Sequence, residues 1–294
     1  MEEVRNSMGT RENRSLNLAG EVRLGWVGAA VALLLVAGPA AAQKDYYNLD
    51  KNRPVRIEDA YATERYALEV KVAPLRLERE RGGVYHWGFD PEIAYGILPR
   101  TSVEVGFPFA IVDGGEETAR TSGLSGIELS LFHNLNIETR TFPALAIRGD
   151  LVFPVGSLAG DQIYPSVTGI ATRSYSWARI HANAQYTFGS APDDVAGEAG
   201  ATPHETSRWL AGVAVDRVFP LSAFLLIADV YASQPLHADD PVEWNAGTGI
   251  RYQVSPFLAV DAGVGRRLTG DTGWYFTLGS AYHMGLRALM PRIR

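Results

Sequence analysis

From Tyr66 onward, apolar side chains alternate with small or polar ones in segments of about ten residues, the period-two pattern of half-buried strands. In the segment from Trp177 to Phe188, Ala178, Ile180, Ala182, Ala184, Tyr186 and Phe188 share one face, and Arg179, His181, Asn183, Gln185 and Thr187 share the other. Trp244, Ala246, Ile250, Tyr252 and Val254 stand in the same way against Asn245, Gly247, Gly249, Arg251 and Gln253. Trp274, Phe276, Leu278, Tyr282 and Met284 oppose Thr277, Gly279 and His283. Leu145, Ile147, Leu151 and Phe153 oppose Arg148 and Asp150, and Val103, Val105, Phe107 and Phe109 oppose Ser102 and Glu104. About twelve such segments predict an all-β chain, a transmembrane antiparallel up-and-down β-barrel of about 12 strands over residues 66–286. A soluble sandwich alternates too, so this pattern does not by itself choose between them.

The connections add a direction. Short links at Leu98-Pro99-Arg100, Phe219-Pro220-Leu221 and Val254-Ser255-Pro256 alternate with longer polar ones at 113–122, 189–207 and 233–240. Short periplasmic turns and long outer loops are the asymmetry of bacterial barrels, and an even strand count returns both ends to the periplasm. Trp209, Trp244, Trp274, Tyr252 and Tyr282 fall near predicted strand ends, where amphipathic rings suit the headgroups. Pro74, Pro91, Pro108 and Pro154 each lack a ladder donor and are expected at bulges or strand ends. Closure is required because an unpaired strand edge cannot be satisfied in hydrocarbon.

Two segments precede the barrel. Arg23, the apolar stretch from Trp26 to Ala37, the Gly38-Pro39 breaker and Ala40-Ala41-Ala42 form a secretory signal peptide over 1–42, with Met1 or Met8 as the start. The apolar stretch is shorter than the ~20 residues needed to span a bilayer as a helix. Residues 43–65 are polar and aperiodic, which places them in the periplasm or in the barrel mouth. Residues 287–294 form a C-terminal tail.

Composition narrows the chemistry. The 294 residues carry a formal net charge of -6, which argues against nucleic acid as a partner. With no Cys there is no disulfide framework, thiol nucleophile or Cys-based zinc site. The six His residues, His86, His133, His181, His204, His237 and His283, include no pair at metal-ligand spacing, so neither a metal nor a cofactor is expected. No His-x-Ser occurs, which disfavours a barrel phospholipase, and His237 with Asp239 and Asp240 reads as an acidic loop rather than a protease site. The protein is therefore not expected to be an enzyme. Gly247-Thr248-Gly249 and Gly263-Val264-Gly265 lie within strands and suit close contact rather than a nucleotide loop. Asp193, Asp194, Glu198 and Glu205 make the longest loop acidic. The charged set predicted to face the lumen is Glu69, Lys71, Glu92, Glu104, Glu128, Arg148, Asp150, Arg179, His181, Asp216, Asp229, Arg251 and Asp261. A mid-depth Arg on the lipid face costs ~2 to 4 kcal/mol, so these charges either pair across a plugged interior or line a wet path.

Gly249-Ile250-Arg251-Tyr252, Ser255-Pro256, the run Leu258-Ala259-Val260-Asp261-Ala262-Gly263 and Leu268-Thr269-Gly270-Asp271 carry a resemblance. So do Arg53-Pro54 and Glu58-Asp59-Ala60 near the start of the mature chain. The chain resembles the outer-membrane family named for the MetA pathway of phenol degradation, whose members are often called transporters. The resemblance implies a bacterial outer-membrane barrel that passes or binds a small, hydrophobic or aromatic solute, with no catalytic residues to carry over. It also casts Gly279, Tyr282 and Met284 as the signal read by the barrel-insertion machinery, Met284 standing where an aromatic residue is usual. Outer-membrane lipid and lipopolysaccharide are the expected surroundings. The rival readings are a structural or envelope-interaction barrel that transports nothing and, third, an outer-membrane hydrolase.

Overall fold

The computed structural model describes residues 47–79, 85–113, 120–160, 162–189, 207–236, 241–269 and 273–285. The expected signal peptide and C-terminal tail lie outside the described residues, as do His204, His237, Asp239, Asp240 and the acidic loop residues Asp193, Asp194, Glu198 and Glu205.

Among the described residues the chain forms fifteen strand segments. They are β1 (Ala67–Arg79), β2 (Tyr85–Phe89), β3 (Glu92–Leu98), β4 (Thr101–Gly106), β5 (Phe109–Asp113), β6 (Thr121–Leu124), β7 (Ile127–Asn134) and β8 (Ala144–Phe153). They continue as β9 (Tyr164–Ser174), β10 (Arg179–Thr187), β11 (Ser207–Val218), β12 (Phe224–Pro235), β13 (Glu243–Ser255), β14 (Leu258–Arg267) and β15 (Trp274–Gly285). Three pairs are single strands with a break. β1 pairs with both β2 and β3, β2 with β5, β3 with β4, β5 with β6 and β4 with β7. The breaks fall at Asp90-Pro91, Phe107-Pro108 and Ser125-Gly126. At the first two a proline removes a ladder donor. Neighbouring groups bridge the gaps, with Phe107 N–H donating to the Pro91 carbonyl at 3.0 Å and Ser125 N–H to that of Pro108 at 2.8 Å. Pro74 follows a register shift in β1, and Pro154 comes just after β8.

Counting each broken pair once leaves twelve antiparallel strands, closed into a barrel where β1 meets β15 from Ala67↔Gly285 to Arg79↔Trp274. Closure gives every full-length strand a partner on both sides, which hydrocarbon demands and a sandwich does not provide; among the described residues only the short β6, at the end of its strand, pairs on one side alone. The outward residues are those predicted: Ile147, Leu151, Tyr186, Trp244, Ile250, Tyr252, Trp274, Phe276 and Leu278 are exposed, whereas Arg148, Asp150, Asn183, Asn245, Arg251 and Thr277 are buried. The alternation lapses at Met284, which is buried beside His283. A belt of exposed Trp, Phe, Leu and Val on this scale suits lipid, not water.

Both ends of the strand array, at Ala67 and Gly285, lie at the barrel rim that carries the two-residue links between β3 and β4 and between β13 and β14. The opposite rim carries the longer connections, including 188–206. The asymmetry has one exception, the nine-residue turn at 135–143 on the short-turn rim. Its own side chains hold it: Asn136 Nδ2 donates to the Pro143 carbonyl at 2.8 Å and Asn136 Oδ1 accepts from Leu145 N–H at 2.9 Å. Arg173 donates to the carbonyls of Thr139 and Arg140.

Residues 47–65 go further in than the periplasm or mouth expected from their sequence. They form a loop within the lumen, its neck clasped by Asp59 N–H donating to the Leu49 carbonyl at 3.1 Å and Leu49 N–H donating to Asp59 Oδ2 at 3.0 Å. Both ends of the loop reach the short-turn rim, where Arg179 donates to the Tyr47 carbonyl and Arg65 bridges Gly96. This loop plugs the barrel.

Candidate functional site: a lumen filled by its own N-terminal segment

A segment without secondary structure must find partners for its backbone when buried, and the barrel wall supplies them from side chains. Arg56 N–H donates to Asp229 Oδ2 on β12 at 2.8 Å, and Glu58 N–H to Asn183 Oδ1 on β10 at 2.8 Å. Asn183 Nδ2 returns a bond to the Glu58 carbonyl at 2.9 Å. Ala60 N–H donates to Thr172 Oγ1 on β9 at 2.9 Å, while Asn134 Nδ2 and Thr277 Oγ1 donate to the carbonyls of Ala60 and Pro54 at 2.6 and 2.9 Å. These wall side chains play the part that a neighbouring strand plays elsewhere.

The plug's apolar residues enter three nests on the inner wall. Leu49 and Val55 meet Leu225 and Ile227; Ile57 meets Leu210, Ala214 and Tyr231; Ala60 meets Phe132, Ala144, Ala146 and Ile170. The expectation that the inner face is small or polar throughout therefore fails at these positions. The plug gives inward Leu, Ile and Phe something dry to touch.

Glycines on the inner wall make room for it. A Cβ on Gly249 would sit 2.5 Å from Pro54 Cγ, and one on Gly263 would sit 2.5 Å from the Pro54 carbonyl oxygen. Neither could be accommodated without moving the plug or the wall. Gly265 leaves similar space for the Tyr275 ring. The two Gly-x-Gly motifs thus serve close approach.

All thirteen charged residues expected in the lumen are buried or half-buried; twelve of them fall into four groups, the first two linked by Asp50 at 3.6 Å from Lys71. In the first, Lys71 lies 2.9 Å from Glu92 and 3.4 Å from Glu104, and Arg148 lies 3.0 Å from Glu104 and 2.7 Å from Asp150. The plug joins it through Glu58, 3.3 Å from Arg148, and Lys51, 3.1 Å from Glu128. In the second, Arg53 lies 2.5 Å from Asp261, which is 3.7 Å from Arg251; Arg251 in turn lies 3.2 Å from Asp50 and donates to the Asn48 carbonyl. In the third, Asp216 lies 2.7 Å from Arg179 and 3.0 Å from His181, with Asp59 at 3.7 Å from Arg179. In the fourth, Glu69 lies 2.9 Å from His283 Nε2, at an angle that makes no hydrogen bond. Asp229 stands apart as an acceptor for plug backbone.

Sequence reasoning missed the plug half of these pairs: Asp50, Lys51, Arg53, Glu58 and Asp59. The signal that could have found them is the dense mix of both charge signs between 50 and 59, matching the mixed charge of the wall. Burial dominates the protonation of Glu58 and Asp59. It pushes Glu58 up to about 7 against the opposing pull of Arg148, and Asp59 up to about 6 against that of Arg179.

A cavity of about 20 Å³ persists among Asn48, Asp50, Glu58, Lys71 and Arg148, room for about one water. At the short-turn rim a vestibule of about 640 Å³ opens between Tyr47, Tyr61, Arg65, Arg100 and Arg179. Among the described residues no group of three or more His, Asp or Glu is arranged to hold a metal ion.

A polar-walled, closed, twelve-stranded barrel with a lipid-suited exterior is decisive for class. The fold is that of an outer-membrane barrel. No protein-family profile matches the sequence, and no curated protein matches it. Among solved structures, the chain is similar to an outer membrane channel from Pseudomonas putida F1 at 12% identity and a TM-score of 0.51, covering 78% of this chain and 100% of that one. It is also similar to the KdgM porin in complex with disordered oligogalacturonate, at 10% identity and a TM-score of 0.46, covering 73% of this chain and 98% of that one. The translocator domain of the autotransporter NalP from Neisseria meningitidis follows at 11% identity and a TM-score of 0.44, covering 74% and 87%. At these identities the likeness concerns the fold alone.

Proposed function

We propose that this protein is an outer-membrane channel or transporter-like barrel that passes or binds a small, hydrophobic or aromatic solute, with the plug occupying the path at rest. The observation that carries the reading is where the wall's charges find their partners. Arg148, Glu128, Asp261 and Arg251 each pair with a residue on residues 47–65, a segment that the described residues join to the wall through side chains, one backbone bridge at Arg65 and the chain connection to β1. Withdrawal of such a segment would leave a polar, hydrated path. The solute class rests on the resemblance of the Trp244–Leu286 region to the phenol-degradation outer-membrane family, as does a role for Gly279, Tyr282 and Met284 in barrel insertion.

The test is flux through liposomes carrying the full mature chain, compared with an Asp261→Asn variant that weakens the Arg53 anchor. Solute or ion flux that rises in the variant supports the reading. Two barrels equally tight to ions and to small aromatic solutes would overturn it.

A second reading, a non-transporting structural or envelope-interaction barrel, is favoured by the plug's contacts with the inner wall, which leave a cavity of only about 20 Å³ among Asp50, Glu58, Lys71 and Arg148. An envelope defect on deletion with unchanged solute uptake would select it.

A further inference from the structure

Beyond the lumen, the outer surface carries a charged feature that neither the plug nor a transport role explains. Across the strands at the long-loop rim, Tyr85, Arg79, Trp274 and Arg266 stand in one register row: Arg79 pairs with Tyr85 on one side and Trp274 on the other, and Trp274 pairs with Arg266. Neighbouring strands are about 4.8 Å apart, so the two arginines flank Trp274 with Cα atoms about 10 Å from each other. Both lie on the outward face. On β14 Asp261 is buried and Val264 and Arg266 are exposed; on β1 Glu78 is buried and Arg79 exposed.

Their depth follows from β15. Trp274 and Tyr282 share its outward side, bracketing Phe276 and Leu278. Eight residues of tilted strand span about 20 Å of bilayer, which puts the two rings at opposite interfaces. Trp274 belongs to the rim opposite the chain's ends, the outer one.

At that rim inward and outward arginines are treated differently. Arg267 points inward and is neutralised twice, by Glu78 at 3.2 Å and Glu243 at 3.3 Å. Arg266, one residue before it, has no carboxylate partner among the described residues, and Arg79 has only a contact of 5.7 Å with the Tyr85 ring. The nearest acid on the row, Asp113, lies beyond Tyr85 on β5. Two guanidiniums at an interface, spaced by an indole and without a carboxylate partner among the described residues, are suited to an anion presented by the membrane itself. Arg offers phosphate a paired set of donors in a low-dielectric zone.

We propose that Arg79, Trp274 and Arg266 form a binding site for the phosphorylated sugar headgroup of outer-leaflet lipopolysaccharide, the guanidiniums holding phosphate and the indole packing on the sugar or the first acyl segment.

The probe is deep-rough lipopolysaccharide offered to the detergent-purified full mature chain, with its dephosphorylated form and phosphatidylglycerol vesicles alongside, bound lipid being read by native mass spectrometry. The protein should prefer the phosphorylated form by about tenfold or more over either control, given two basic groups near an anionic surface. Arg79→Gln with Arg266→Gln should abolish that preference while heat-modifiable gel migration stays normal. Arg217→Gln, an exposed position near the opposite end of β11, should keep it. Equal binding of the dephosphorylated form, equal binding of phosphatidylglycerol, or a preference that survives the double substitution would each overturn the assignment.

Discussion

Arg53 and Asp261, 208 positions apart in the chain, meet at 2.5 Å inside the barrel, both almost wholly shielded from solvent. The contact ties the plug to β14, and Arg251 shares the same carboxylate from 3.7 Å. Removing one partner of a buried pair is far costlier than the pair's net worth, because the remaining charge stays desolvated.

Asp261→Ala should therefore weaken plug docking by about 3 to 5 kcal/mol, leaving two buried guanidiniums without their shared acceptor. In the folded barrel, trypsin should cut faster after Lys51 and Arg56, the bond after Arg53 being protected by Pro54, with gel migration of the barrel unchanged. Unaltered cleavage would mean the contact does not anchor the segment.

Gly249→Val should expel the plug by crowding. The added side chain would meet Pro54 at 2.5 Å from its first carbon alone. Increased hydrogen exchange at the amides of Arg56, Glu58 and Ala60 is the expected signature, since these amides bond to the wall. Exchange confined to strand ends would contradict the steric account.

Plug docking should also weaken as pH rises. Glu58, surrounded by Arg148, Lys51, Asp150 and Glu104, is pushed up to about 7 by burial, and Asp59 up to about 6. A released segment would return both to ordinary values near 4. Between those limits the docked state holds more protons, so its stability falls as pH climbs from about 4 to 7 and levels off above. Intrinsic-rate-corrected exchange of the Glu58 amide should be slower at pH 5 than at pH 7.5, and Glu58→Gln should flatten much of the difference.

Leu278→Arg tests the outer surface. Leu278 is 48% exposed on β15 between Phe276 and Ser280, within the outward apolar belt. An arginine there should cost about 2 to 4 kcal/mol in lipid-vesicle unfolding by urea. A cost near zero would mean that this face does not meet hydrocarbon.

How much of this could be read in advance depends on range. Alternation repeats every second residue, so Trp244 against Asn245 or Ile250 against Arg251 reveals its face from a few neighbours. β12 was harder to read, since Phe224 to Ala228 is a continuous apolar run. Its inward members, Leu225 and Ile227, make sense only opposite Val55 and Leu49. The turn at 135–143 likewise takes its length from bonds made by Asn136 and Arg173, which no count of turn residues anticipates.

By itself, the sequence determined the strands and, along most of their length, which face turns out, because strand geometry converts a period of two directly into inside and outside. The tertiary structure alone decided that residues 47–65 enter the lumen, that Arg53 meets Asp261, and that Gly249 and Gly263 are seats for Pro54. Those partners are chosen only when β15 closes on β1, which brings distant stretches of chain around a common interior whose buried charges and backbone groups must then be satisfied.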